Sequence, residues 1–263
     1  MQPDDLEQSE KPETSTPKKR RVTRWAIFRS VGSTIVTLVF LGSTICGLLA
    51  LFHPETPLPP QWNPIIPLSV AHPVSPLTTS KLRMVLNDPV QCRMVLAQAA
   101  QANAMEPFEV SENCHIRNRV NLSVIGGMQI DPVKTSCATA LRLAMWERHG
   151  VQPAARNILG TEATVFRQIG SYNCRPIRTL QGNSNRWSTH STADAIDITG
   201  FDFSDGRRIR LIADWDDGTE KGLFLRAVRD SACTWFATAL GPDYNSLHAD
   251  HFHLQARGWG TCR

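Results

Sequence analysis

The chain changes its hydrophobic period several times along its length. Residues 30–52, SVGSTIVTLVFLGSTICGLLALF, form a run of 23 positions without a charged side chain. That is long enough for one helix to cross a hydrocarbon core about 30 Å thick. It exceeds the usual apolar core of a signal peptide, and no small-x-small cleavage site follows it. A buried core helix is the other reading of such a run. Residues 53–80 have no period and hold eight of the seventeen prolines. They read as an extended polyproline II spacer, or as a proline-rich ligand for an adaptor.

Globular patterning begins near residue 81. Residues 90–105, rich in Ala, Leu and Gln, read as a helix. So do residues 137–149, with Ala138, Leu141, Ala144 and Met145 on an apolar side and Gly150 as C-cap. A third helix is expected over 221–240, with Leu223, Phe224, Ala227 and Val228 inward and Gly241-Pro242 ending it. Residues 164–172 and the alternating RRIRLI of 207–212 predict strands, as do the short apolar stretches 195–199 and 252–256. This pattern predicts an α+β fold: a small antiparallel sheet with helices packed on it, preceded by one transmembrane helix.

Charge and cysteines add a topology. The net charge is only +4, and residues 1–30 contribute seven Lys/Arg against five Asp/Glu. The remainder lacks the basic stripe that phosphate-backbone binding requires, so nucleic acid is not an expected partner. Lys18, Lys19, Arg20, Arg21 and Arg24 stand just before the apolar run. A nuclear-localisation signal is one reading of KKRR. Positive-inside placement is the other, and it keeps residues 1–29 cytoplasmic as a disordered basic tail and sends the C-terminal domain across. Six of the seven cysteines lie beyond the run and only Cys46 within it. An even count suggests three disulfides in an oxidising compartment, and pairing of sequence neighbours predicts 92–114, 137–174 and 233–262. No CxxC spacing supports a cysteine-based metal site.

The stretch LHADHFHLQ places three of eight histidines, His248, His251 and His253, within six positions. On a strand His251 and His253 share a face, about 6–7 Å apart, while Phe252 and Leu254 point into the core. That spacing suits two ligands of one ion, or one ligand beside a reacting residue. Upstream, His190 lies in a loop rich in Ser and Thr, and Asp197 sits between isoleucines in AIDIT. A carboxylate on such a strand costs several kcal/mol unless it is paired or metal-bound. It either caps a turn, pairs with an arginine such as Arg186, or joins the histidines.

Ser188-x-His190-x-x-Ala193-x-Ala195-x-Asp197 followed by His251-x-His253 resembles the signature of the LAS zinc metallopeptidases. These include D-Ala-D-Ala carboxypeptidases, D-Ala-D-Ala dipeptidases and murein endopeptidases. The fuller pattern GSYNCR, the His190–Asp197 block, FLRAVRDSAC and LGPDYNSLHADHFHLQ is more similar to their relative, the bacterial extensin-like C-terminal domain. The resemblance covers residues 90–263. It implies Zn²⁺ held by His190, Asp197 and His253, with His251 as the reacting residue beside the metal. His248 would support it, and Arg175 would polarise the scissile carbonyl. Asp250 is either a partner for the ring of a ligand histidine or a solvated loop residue. The implied function is hydrolysis of peptidoglycan peptides by an endopeptidase or carboxypeptidase. Its place would be the periplasm, anchored to the bacterial inner membrane. The alternative is a non-catalytic zinc-containing wall-binding or scaffold module. One position departs from the pattern, because Ala193 stands where the family often carries glycine. If a positive φ is needed there, alanine costs on the order of 1 kcal/mol.

Overall fold

The protein is described by a computed structural model covering residues 24–53, 55, 58–258 and 260–263. The polar stretch 1–17 and the basic residues 18–21, expected to form a disordered cytoplasmic tail, lie outside the described residues. The chain forms two compact units, Met1–Leu58 and Pro59–Arg263.

The first unit contains helix α1, Arg24–Phe52. Its segment Phe28–Phe52 has a mean hydropathy of 2.4 and none of it is buried within the protein. The hydroxyls of Thr34, Thr37 and Thr44 donate to the carbonyls four residues earlier at 2.8–2.9 Å. Their polar groups are thus satisfied inside the helix, as a lipid environment demands. A helix that is apolar all round and not buried in the protein is able to anchor a chain in a membrane.

In the second unit the proline-rich stretch behaves differently from a spacer. Leu68 and Val70 are buried in the main core. The Lys81 ammonium donates to the Pro60 carbonyl at 2.8 Å, and a His149 ring nitrogen lies 2.9 Å from the Val70 carbonyl. The compact unit therefore starts at Pro59 rather than at residue 81. Helices α2 (Thr78–Leu86) and α3 (Pro89–Ala97) follow, the latter capped by Asp88, whose carboxylate accepts from Val90 N and Gln91 N. Next come β1 (Ala100–Ala104), the small hairpin β2 (Phe108–Ser111) and β3 (Cys114–Ile116), and the long pair β4 (Arg119–Ile125) and β5 (Met128–Ser136). Helix α4 (Cys137–Trp146) continues through a π-helical turn, Glu147–Val151, the short α5 (Gln152–Ala154) and a second π-helical turn, Ala155–Leu159. The remaining elements are β6 (Ala163–Gly170), the hairpin β7 (Pro176–Thr179) and β8 (Gly182–Trp187), β9 (Ala195–Phe203), β10 (Arg208–Arg210), α6 (Leu211–Asp214), α7 (Glu220–Trp235), β11 (Thr238–Leu240) and β12 (Phe252–Gln255).

The sheet differs from the small antiparallel one expected. It has eight strands in the order β1-β4-β5-β6-β9-β12-β11, with β10 also on β9. All neighbours run antiparallel except β5 and β6, which are parallel. A parallel pair needs a long crossover, and the helical segment from Cys137 to Leu159 supplies it. The core beneath is aromatic. The Trp146 ring is fully buried against Phe166, Phe201 and Phe236, and its indole N–H reaches the Val228 carbonyl and Ser231 Oγ at 3.0 Å.

Three expected elements are corrected at their ends. The helix read over 90–105 stops at Ala97, and Ala100–Ala104 becomes the edge strand β1 paired with β4. Ladder bonds at a half-exposed edge override the helix preference of alanine there. The helix read over 221–240 ends at Trp235, and Thr238–Leu240 pairs with β12. The strand read over 207–212 covers only Arg208–Arg210 before α6 begins. Of the predicted disulfides, 233–262 is present. The other two are exchanged: Cys92 pairs with Cys137 and Cys114 with Cys174. Cys92 on α3 faces the start of α4 because those helices pack together, and no sequence spacing reveals that neighbour.

Candidate metal centre

Two neighbouring strands bring the central groups together. On β9, Ile196 and Ile198 are fully buried in the core, which turns Asp197 to the opposite face. Antiparallel pairing places Asp197 directly across from His253 on β12. Phe252 and Leu254 are fully buried, as their alternation with the histidines predicts. His190 arrives from a one-turn 3₁₀ helix, Thr189–Thr192, and its own N–H is capped by Ser188 Oγ at 3.3 Å.

The three side chains converge closely. His253 Nδ1 lies 2.8 Å from Asp197 Oδ1, His190 Nε2 3.2 Å from Asp197 Oδ2, and the two ring nitrogens 3.1 Å apart. Donors about 2.0–2.2 Å from a tetrahedral ion sit roughly 3.3 Å from one another, so this spacing fits a small divalent cation. Among the described residues these three form the group of acidic and imidazole donors able to hold one. Supporting bonds fix the rings. His190 Nδ1 meets the Ser171 carbonyl at 2.8 Å, which leaves its Nε2 lone pair facing Asp197 and His253. His253 Nε2 meets the Gln255 side-chain amide at 2.9 Å. Outer partners of this kind orient ligand imidazoles in metal sites.

Ala193 is the one non-glycine residue with positive φ among the described residues, at φ 51 and ψ 28. It is fully buried and its carbonyl is held by Thr139 Oγ1 at 2.9 Å, with Thr135 Oγ1 and Ser136 N at 3.3 Å. Its own N–H donates to the His190 carbonyl at 3.1 Å. A left-handed alanine is strained, and these bonds hold it in place.

The remaining predicted residues surround this centre. His251 Nε2 is 3.6 Å from Asp197 Oδ1, and its Nδ1 is 2.7 Å from Asp250 Oδ1, so Asp250 partners His251 rather than one of the expected ligand histidines. His251 precedes β12 rather than lying within it. His248 bonds through Nδ1 to Asn245 Oδ1 at 2.7 Å, and its ring centroid lies 5.3 Å from that of His251 and 5.6 Å from that of His253. Arg175 lines the same cleft, a cavity of about 1140 Å³ with Asp197, His251 and His253 on its wall. Its Nε is buried without a hydrogen-bond partner, while Nη1 donates to the Pro176 carbonyl at 3.2 Å. Arg186 is on the hairpin wall and is not the partner of Asp197. Ser171, Asn245 and Gln255 fall within the motifs GSYNCR and LGPDYNSLHADHFHLQ, but nothing in those motifs marks what they do. Their roles lie in a carbonyl or amide placed by the fold.

Electrostatics follow from the burial. Desolvation alone would raise Asp197, yet hydrogen bonds from His190 and His253 and their charges hold its carboxyl far below the usual range. Desolvation lowers His253, partly offset by Asp197. Burial, then the neighbouring imidazoles His253 and His251, pushes His248 down to about 4. Arg175 is lowered by burial and then by the charge of Arg178, with Asp197 opposing. The Asp197 carboxyl is thus ionised at neutral pH, as a carboxylate must be to hold a cation.

Residues 90–263 match the family described as extensin-like protein C-terminus. The chain belongs to this family. The match begins inside α3 and spans the whole of the sheet, and it contains every residue of the His/Asp centre. No curated protein and no solved structure is similar enough to this extensin-like chain to match it.

Proposed function

We propose that this extensin-like protein is a membrane-anchored extracytoplasmic zinc peptidase, related to the LAS enzymes, that hydrolyses amide bonds in peptidoglycan peptides. The observation that supports this most is the convergence of His190, Asp197 and His253, the latter two lining a cleft, with His251 beside them and Arg175 on the wall. Two imidazoles and one carboxylate leave a coordination position open, as catalytic zinc sites do and structural ones do not. The chemistry such an ion supplies is Lewis acidity and activation of water near neutral pH. His251 takes or returns a proton at Nε2, because Asp250 occupies its Nδ1 and orients the ring. Arg175 offers a guanidinium to the oxyanion that develops on the scissile carbonyl. His248 packs against His251 and His253 and fills the space beside them without adding charge. The apolar helix α1 and the three disulfides are compatible with a substrate outside the cytoplasmic membrane.

The test joins metal content to product analysis. The detergent-solubilised full chain is expected to retain about one equivalent of zinc, and His190→Ala to lose it. Muropeptide profiles of digested sacculi are expected to change with the wild type, while His251→Ala slows the change by a factor of about 10²–10⁴. Identical profiles from wild type and variant, with both bound to sacculi, would instead establish a non-catalytic wall-binding module.

A further inference from the structure

The hairpin β7–β8 forms one wall of the cleft and carries chemistry that the catalytic proposal leaves unused. Arg178 lies on β7, Arg186 on β8, and Arg175 immediately before β7. All three line the cleft. Among the described residues the charged side chains lining it, histidines aside, are these three, Arg257 and Asp197. Arg257 is neutralised by Asp194 at 2.9 Å, and Asp197 is occupied by His190 and His253. Neither Arg178 nor Arg186 has a carboxylate partner among the described residues, and Arg178 lies close enough to Arg175 for their charges to repel. Arg178 and Arg186 are exposed and Arg175 half-buried, so an anion entering the cleft meets an excess of positive charge on this wall.

The same wall presents apolar surface. Leu180 is 63% exposed at the hairpin turn, Trp187 43% at its base, and Tyr244 42% on the loop across the cleft. Arginine mixed with exposed aromatic side chains is the composition of peptide-binding surfaces, and planar guanidinium forks match carboxylates. We propose that Arg178 and Arg186 form a carboxylate-recognising subsite, so that the peptide taken by this cleft carries a free acid group on the side of the β7–β8 hairpin. This rests on the peptidase reading for the bond that is cut, but the subsite is defined by binding alone. Neither arginine touches the His/Asp centre through any bond or ion pair of the structure.

The full chain in detergent micelles tests it with two synthetic probes: an acidic peptide with free side-chain carboxylates, and the same peptide with those groups converted to amides. The acidic form is expected to bind on the order of tenfold more tightly, with affinity falling as salt rises. The double variant Arg178→Gln with Arg186→Gln should bind both forms at the weaker level while keeping the wild-type metal content, and the Lys/Lys pair should recover part of the preference. Equal binding of the two peptides by the wild type overturns the subsite, as does a Gln/Gln variant that keeps the preference. A single-stranded oligonucleotide binding as tightly as the acidic peptide overturns the peptide assignment. Should the preference and its loss be found without any cleavage, the subsite stands and the peptidase reading falls. Cleavage without preference gives the reverse.

Discussion

Ala193 shows how one backbone torsion serves the centre three residues away. Its left-handed conformation ends the Thr189–Thr192 turn, returns the chain into β9, and fixes the level at which His190 meets Asp197. The cost for an L-residue is about 1–2 kcal/mol. Glycine would remove that strain, but it forfeits a buried methyl worth about 0.8 kcal/mol and makes the unfolded chain more flexible by about 0.4–1 kcal/mol. These terms nearly cancel, so Ala193→Gly is expected to leave urea-unfolding stability within about 1 kcal/mol of wild type, with metal content unchanged. Ala193→Val should cost roughly 3 kcal/mol, since a β-branched side chain neither accepts this torsion nor fits a fully buried site. Unchanged stability in the valine variant would mean that the turn is not held in the left-handed form. Alanine is therefore a tolerated departure from glycine here, because the Thr135, Ser136 and Thr139 donors hold its carbonyl.

The element that matters most for the site is the segment between β6 and β7. Ser171 accepts from His190, Asn173 N–H donates back to the His190 carbonyl at 3.0 Å, and Cys174 ties the segment to β3 through Cys114. The disulfide closes a span of 60 residues. Chain-entropy reasoning gives it roughly 4 kcal/mol. Replacing Cys114 and Cys174 together by serine should lower the unfolding free energy by about that amount. It should also weaken metal binding about 10–100-fold, because the carbonyl that orients His190 is no longer held. Calorimetric unfolding and competition with a zinc-selective chelator measure the two effects. A stability loss with metal affinity intact would confine the disulfide to a stabilising role. The hydrophobic alternation around Asp197 and His253 made both strands readable, whereas the segment 171–175 has no such period: the GSYNCR motif marked it and Arg175, but the role of the Ser171 carbonyl came only from what it touches.

At the scale of the whole molecule the boundary of the folded unit is testable. Prolines made residues 53–80 read as a spacer, yet Leu68 and Val70 pack into the core from Pro59 onward. Burial of two such side chains is worth about 3–6 kcal/mol before the entropy of ordering the segment is subtracted. A fragment of residues 59–263 should accordingly unfold at a higher urea concentration than one of residues 81–263, by the equivalent of a few kcal/mol. Equal midpoints would show that the segment adds nothing to stability. Proline restricts the backbone but does not keep its neighbours out of a core, so a high proline count alone misplaced this boundary.

Some features were decided locally, and these were legible in the chain itself. The uncharged run of α1, most of the apolar face of α4 and of α7, where Leu223 was expected inward but is 59% exposed, and the alternation that points Asp197 and His253 away from the core depend on a helix period of 3.6 and a strand period of 2. The candidate residues of the centre also came from sequence, through the unusual density of histidines and a carboxylate set between isoleucines. What depends on contacts between distant segments was decided only by the tertiary structure. That includes the parallel β5–β6 pair, the edge strand β1, two of the three disulfide partners and the outer bonds from Ser171 and Gln255. A strand's partners and a cysteine's neighbour are set by the packing of whole elements, and no spacing along one chain encodes that choice.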